Sequence, residues 1–292
     1  MLFKQLKHWF RSRRDQPAQV PAPPPPVQDA SFETIRCTGN YDSWEAAAKD
    51  STGYDAASIL EMTKTALLKV KNGEAVYERD SVLFDKIHHS FPVLAGLLRA
   101  AMACEGRLCV LDFGGALGSS YFQCRKFLGV LHQIQWLIVE QPAHVACGSR
   151  HFASEQLQFF PTVEACMGSH QPNVMLLSGV LAFMPLPHVA LGDLLKHRIR
   201  HVIIDRTAFL HSDRDRLTVQ HVPAAIYKAS YPAWFLSESR LRAVFASSGY
   251  EMVADFPCLT DDHSPDGESS YFKGFIFEWR GSPDRKESPL DN

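Results

Sequence analysis

Val110-Leu111-Asp112-Phe113-Gly114-Gly115-Ala116-Leu117-Gly118-Ser119-Ser120 decides the fold class of this 292-residue chain. An apolar run ends in an acid, passes through a turn carrying Gly114, Gly115 and Gly118, and enters a helical pattern near Gly118. Glycine tolerates positive φ angles and lets backbone approach a ligand closely. Such a turn either cradles a ligand between strand and helix or serves tight packing alone. A carboxylate or phosphate set there would face the amide-rich N-terminus of the helix.

Further along, Trp136 to Val139, Leu157 to Phe160, Val174 to Leu177 and Val202 to Ile204 are short apolar runs separated by helical patterns. With Leu108 to Asp112 they predict five strands joined by helical crossovers, hence a mainly parallel sheet covered on both faces. Tyr250 to Phe256 and Phe272 to Trp279 are separated only by the polar Asp261 to Ser270 stretch, which predicts an antiparallel pair. The second strand ends in Glu140, at the edge where open α/β sheets bind ligands. Its carboxylate suits the two hydroxyls of a ribose; a solvated loop acid is the other reading.

Upstream, Ile59, Met62, Ala66, Leu67 and Val70 recur at helical period from Asp55 to Lys71, and Asn72-Gly73 supplies a stop. A second helix is expected over Val82 to Ala103. The predicted organisation is a basic amphipathic segment at 1–14, a proline-rich linker at 15–31, one domain at 32–280 whose residues 32–106 form a helical extension, and a disordered tail at 281–292. In the first segment Leu2, Phe3, Leu6, Trp9 and Phe10 share a helical spacing with five basic residues. That suits peripheral contact with an anionic membrane surface, the alternative being a frayed basic terminus.

The formal net charge of -2 offers no global attraction for nucleic acid, so no such partner is expected. Seven dispersed cysteines without a Cys-x-x-Cys pair fit reduced thiols in a cytoplasm rather than a disulfide framework or zinc site. No apolar run reaches the roughly 18 residues of a spanning helix, and no signal-peptide pattern opens the chain. A cytoplasmic protein, peripheral at the inner face of the membrane if residues 1–14 bind there, is the expected setting.

Val110 to Gly118 followed by Glu140 resembles the first motif and acidic second-strand end of class I S-adenosylmethionine-dependent methyltransferases. The terminal antiparallel pair resembles the end of that family's seven-stranded sheet, and the likeness spans about Leu83 to Arg280. More narrowly, Tyr77-Glu78-Arg79-Asp80, the glycine turn and Ile204-Asp205-Arg206-Thr207 resemble an uncharacterised bacterial subgroup of methyltransferases associated with surface-polysaccharide genes. The resemblance implies an α/β, Rossmann-like, seven-stranded mainly parallel sheet with a C-terminal antiparallel hairpin and an N-terminal helical extension. It implies S-adenosylmethionine as cofactor, with Asp112 near its amino group, Gly114, Gly115 and Gly118 against its backbone, Glu140 on the ribose, and Tyr77 and Asp80 closing the site. Ala116 departs from the family, which usually has its middle glycine there, and Gly115 beside it offers a substitute. A dinucleotide fingerprint would need glycines where Ala116 and Ser119 stand.

For the acceptor, Ser178 at the end of the fourth strand offers a hydroxyl to the reacting side, or serves only its turn. The long Phe209 to Phe235 stretch is expected to form a lid or substrate wall. Arg206, Tyr227 and Tyr231 are the candidate acceptor contacts. His211 and His221 are the candidate bases, because histidine titrates near neutrality and deprotonating a hydroxyl makes it a better nucleophile. Asp261, Asp262, His263 and Asp266 read as a solvated turn, so no metal is expected. The sequence reading is O-methylation of a small-molecule acceptor, a sugar or lipid-linked glycan. A noncatalytic domain with the cofactor fold and a nicotinamide-dependent oxidoreductase or nucleotide-sugar epimerase are its competitors.

Overall fold

The structure, a computed structural model, describes residues 35–53, 56–223, 226, 229–258 and 264–281. The basic segment and linker, most of the tail, Tyr227, and Asp261, Asp262 and His263 lie outside the described residues. In chain order the elements are β1 (Arg36–Tyr41), α1 (Trp44–Lys49), α2 (Ala56–Asn72), β2 (Tyr77–Arg79), β3 (Val82–Phe84), α3 (Phe91–Met102), β4 (Arg107–Phe113), α4 (Ser119–Leu128) and β5 (Gln133–Val139). They continue with α5 (Pro142–His151), β6 (Leu157–Phe160), α6 (Val163–Met167), β7 (Val174–Ser178), a 3-10 turn (Leu181–Phe183), α7 (Pro187–Leu195) and β8 (His201–Leu210). Last come β9 (Arg216–Val222), β10 (Ala229–Ser237), α8 (Glu238–Ser247), β11 (Tyr250–Pro257) and β12 (Ser270–Trp279).

β4 lies at the centre, parallel to β5 on one side and β7 on the other, with β6 beyond β5 and β8 beyond β7. β12 runs antiparallel to β8, and β11 antiparallel to β12. These seven strands, mainly parallel and Rossmann-like with an antiparallel C-terminal pair, are the expected fold, and they belong to a sheet of ten strands that β10, β9 and β1 extend beyond β8. The strand order reverses at β4, so its C-terminal end opens a crevice where the chain departs in opposite directions. Along β4, Leu108 and Val110 pack beneath α2, α3 and α4, whereas Leu111 packs on the opposite face with residues of α6, α7 and α8. Alternate residues thus feed two cores, which is why the strands read as continuous apolar runs.

Two expectations are corrected. The helix expected from Val82 begins only at Phe91, with Pro92 in its first turn; Val82–Phe84 instead pairs with Tyr77–Arg79. Asp80 and Ser81, at φ 52° and 69°, make the tight connection that turns this hairpin. Residues 32–106 are therefore not purely helical, since β1 and this hairpin belong to them. The stretch after Phe209 is built of strands: β9 and β10 pair antiparallel, β1 adds to β9, and β10 joins the distal end of β8 through Leu236 and Ser237. Leu217, Val219, Ala233 and Phe235 are buried in this arm, so burial and strand pairing override the polar residues that read as loop.

Candidate functional site

The glycine bend is shaped by steric need at two positions. Gly114 sits at φ 72°, and a Cβ there would lie 2.4 Å from Val180 Cγ2. At Gly115 a Cβ would lie 2.5 Å from the Asp112 carboxyl carbon. Asp112 at the end of β4 is therefore covered directly by the bend. It is 1% exposed and accepts a 2.8 Å hydrogen bond from Trp136 Nε1 on β5. Burial pushes its carboxyl up to about 7, with Glu140 adding to the rise and Trp136 and Arg206 opposing it.

Glu140 points at the same bend. Its Oε1 accepts from the Ala116 amide at 3.2 Å, and its Oε2 accepts from the Gln141 amide at 2.7 Å. Ala116 reaches this position with φ 50°, so the residue that departs from the family pattern adopts the left-handed conformation a glycine would supply. A carboxylate has about four acceptor sites, so two such bonds leave capacity for ligand hydroxyls. His144 stands one helical turn on, its Nδ1 4.0 Å from Glu140 Oε2 and buried without a hydrogen-bond partner among the described residues.

A second wall comes from β8 and the β2–β3 hairpin. Opposite Gly274 of β12, the residue pairing steps from Ile204–Phe275 to Thr207–Lys273, so Asp205 and Arg206 form a bulge. Arg206 takes φ 52° within it. The bulge turns both side chains to the crevice: Ser178 Oγ donates to Asp205 Oδ2 at 3.3 Å and accepts from Arg206 Nε at 3.3 Å. Arg206 also donates to Asp80 Oδ2 at 2.9 Å, tying the hairpin down. Burial works against charge on Arg206, but Asp80, Asp205 and Tyr77 beside it hold the guanidinium more firmly protonated than usual. Buried Tyr77 is pushed up to about 12.

The hairpin also reaches the helix that follows the bend. Glu78, 1% exposed, accepts from Ser119 Oγ at 2.6 Å and from the Ser81 amide at 2.7 Å. Burial raises its carboxyl above the usual range, against those two hydrogen bonds. Cys258 Sγ contacts both the Arg206 amide and Asp205 Oδ1.

The structure thus brings together Tyr77, Asp80, Asp112, Gly114, Gly115, Gly118, Glu140, Ser178 and Arg206. Glu78, His144, Asp205 and Cys258 join them without having been expected. Their only signal was position, within the Tyr77 to Asp80 and Ile204 to Thr207 motifs or just past a strand end. The two histidines stand apart from this group. His211 is exposed with its ring 4.7 Å from that of Tyr271, and His221 on β9 is hydrogen-bonded to Thr38 at 2.9 Å. Tyr231 on β10 packs against Phe183 of the 3-10 turn at 5.5 Å between ring centres and accepts from Gln220. Among the described residues no trio of metal-ligating side chains is grouped to hold an ion, all seven cysteines are free thiols, and no helix is long and apolar enough to cross a membrane.

No family model and no curated protein matches the chain. Among solved structures it is similar to the magnesium protoporphyrin IX methyltransferase of Synechocystis with bound S-adenosylmethionine, at 12% identity and TM-score 0.43 over 65% of this chain and 79% of that one. It is also similar to an S-adenosylmethionine-dependent methyltransferase of Clostridium acetobutylicum, at 8% identity and TM-score 0.41 over 64% and 90%. A third similarity is to such an enzyme from Methanosarcina mazei, at 9% identity and TM-score 0.44 over 64% and 97%. Likeness this distant carries no argument about chemistry, which falls to the residues around the bend.

Proposed function

We propose that this chain is an S-adenosylmethionine-dependent methyltransferase acting on a hydroxyl of a small-molecule acceptor, a sugar or lipid-linked glycan. The observation that carries the reading is the convergence of the Asp112 and Glu140 carboxylates on one glycine bend, Asp112 beneath Gly115 and Glu140 on the Ala116 amide. The donor set fits the cofactor. Glu140 retains acceptor capacity for ribose hydroxyls, Asp112 lies directly beneath the bend against which the methionine ammonium would sit, and His144 Nδ1 is an unpartnered polar atom beside Glu140 among the described residues.

Charge separates this reading from a nicotinamide enzyme. Asp80 and Asp205 lie beside the Arg206 guanidinium, with Glu78 and Asp112 within its electrostatic reach and Glu140 beside Asp112, so carboxyl acceptors outnumber cations there. That surrounding suits a ligand carrying ammonium and sulfonium charges and opposes a dianionic pyrophosphate. When bound, the cofactor supplies a methyl group open to direct displacement. The chain's own part is alignment: Ser178 and Arg206 fix the far wall, and the hairpin held by Asp80 and Glu78 restricts water.

Calorimetric titration with S-adenosylmethionine, S-adenosylhomocysteine and NAD tests the cofactor. Binding of the first two and not the third is expected; binding of NAD alone overturns the assignment. Mass spectrometry of surface glycans from cells with and without the gene tests the acceptor, and an unchanged glycan methyl content counts against it. The distance of His211 and His221 from the bend favours a second reading, a cofactor-binding domain without turnover, for which binding with no methyl transfer to any glycan is the signature. Residues 1–14 would add membrane contact. Full-length chain is expected to bind anionic vesicles more strongly than chain lacking Met1 to Pro26, and equal binding removes the membrane role.

A further inference from the structure

At the opposite end of the sheet, near the start of β8 and the end of β12, four arginines converge. Glu278, 3% exposed, receives Arg99 at 2.9 Å, Arg200 at 3.2 Å and Arg280 at 3.2 Å. Arg198 lies over the Trp279 ring at 5.7 Å and has no carboxylate partner among the described residues. It takes φ 53°, a left-handed conformation that costs a non-glycine residue about 1 kcal/mol or more. Arg198, Arg200, Glu278, Trp279 and Arg280 line a cleft of about 480 Å³.

Neutralising Glu278 does not use up this charge. Arg280 has a second carboxylate, Glu251, yet four guanidiniums still face two carboxylates in a chain whose overall charge is negative. A further unsatisfied group lies beside them. His201 pairs directly with Glu278 across β8 and β12, which puts both side chains on one face of the sheet. The His201 ring is 1% exposed, and both its nitrogens are without a hydrogen-bond partner among the described residues. His201 does not itself line the cleft, and bears on it through the neighbouring Glu278.

We propose that this cleft is a second ligand site, remote from the glycine bend, that binds a phosphate-bearing small molecule of the diphosphate class. Guanidinium forks match phosphate oxygens bidentately, and several arranged around one cleft select a multiply charged group over a single carboxylate. Arg198 supplies the free fork, Arg200 and Arg280 the flanks, and Trp279 an aromatic wall. The buried Glu278 pairs with Arg200 and Arg280 and so fixes both flanking guanidiniums beside Arg198.

The test is calorimetric titration of the full chain with inorganic pyrophosphate, and in parallel with a nucleoside diphosphate. Saturable one-site binding is expected, weakened at least tenfold in Arg198→Ala and in Arg200→Ala. S-adenosylhomocysteine affinity and melting temperature should be preserved in Arg198→Ala, which removes no ion pair. Tighter binding of the nucleotide than of pyrophosphate assigns the site to nucleotides, and equal binding assigns it to the phosphate groups alone; both support the proposal. Absence of saturable binding in the unmodified chain, or equal binding by Arg198→Ala, overturns it. The outcome is independent of the methyltransferase reading, because pyrophosphate carries no ribose for Glu140 and the nucleotide is scored by its loss of binding in Arg198→Ala, far from the bend.

Discussion

Glu140 Oε1 and the Ala116 amide are joined by a 3.2 Å hydrogen bond that fixes the acidic end of β5 against the glycine bend after β4. Glu140→Ala removes this bond and, on the proposed function, the acceptor for the ribose. S-adenosylhomocysteine affinity is expected to fall by about 1–3 kcal/mol, the cost of leaving such groups unpaired. Calorimetry on a variant with an unaltered circular dichroism spectrum reads it, and an unchanged affinity removes Glu140 from the site.

Gly115→Ala tests the contact between the bend and Asp112. The added methyl would fall 2.6 Å from Asp112 Oδ2, so the carboxylate or the bend must move. Cofactor affinity is expected to drop by about tenfold or more, ~1.4 kcal/mol, with the fold retained. Normal affinity in this variant would show that the bend does not place Asp112.

Asp112 also sets a pH dependence. Its folded value of about 7 lies above its ordinary 3.8, so between these values the folded chain holds a proton that the unfolded chain has released. Stability is therefore expected to fall as pH rises through that interval and to level off above it. Asp112→Asn removes the titration and should be more stable than the parent at pH 8, by up to ~4 kcal/mol if the whole shift is expressed, and so melt higher, with a smaller gain at pH 5. It should bind cofactor less well at both. Equal melting gains at the two pH values would contradict a raised Asp112.

Arg206 and Asp80 divide unequally. Asp80 is 65% exposed in its side chain, so Asp80→Asn should cost under ~1 kcal/mol of stability. Arg206→Met leaves buried Asp205 without its neighbouring cation and should cost more, toward ~3 kcal/mol. Denaturant melts rank the pair; a larger loss at Asp80 would mean the hairpin, not the bulge, carries the stability.

His211→Ala and His221→Ala are expected to keep cofactor affinity within about twofold, since neither side chain meets the cluster around the bend. A tenfold loss in either would bring that histidine back to the site.

What could be read along the chain follows from local chemistry. Alternation of apolar runs with helical patterns set the parallel sheet, the glycines after Asp112 set the bend, and Glu140 at the next strand end placed an acid beside it. The N-cap of α8 is equally local, the Ser237 hydroxyl accepting from the Arg240 amide. Each of these depends on residues near one another in sequence. Val82–Phe84 misled because its three residues continue an apolar pattern into α3; only pairing with Tyr77–Arg79 shows them as strand, and Asp80-Ser81 lacks the glycine that usually announces such a turn.

The sequence by itself determined the layered α/β sheet, the glycine bend and the acid beyond it, because strand period, turn chemistry and strand-end placement are local properties. Only the tertiary structure decided that Asp205 and Arg206 share a bulge facing Ser178, that Glu78 and Asp80 reach across from a hairpin, and that three arginines meet at Glu278 with a fourth, Arg198, over Trp279. Those relations join residues as far as 179 positions apart. Strand register and burial set them, and neither is encoded within any one stretch of chain.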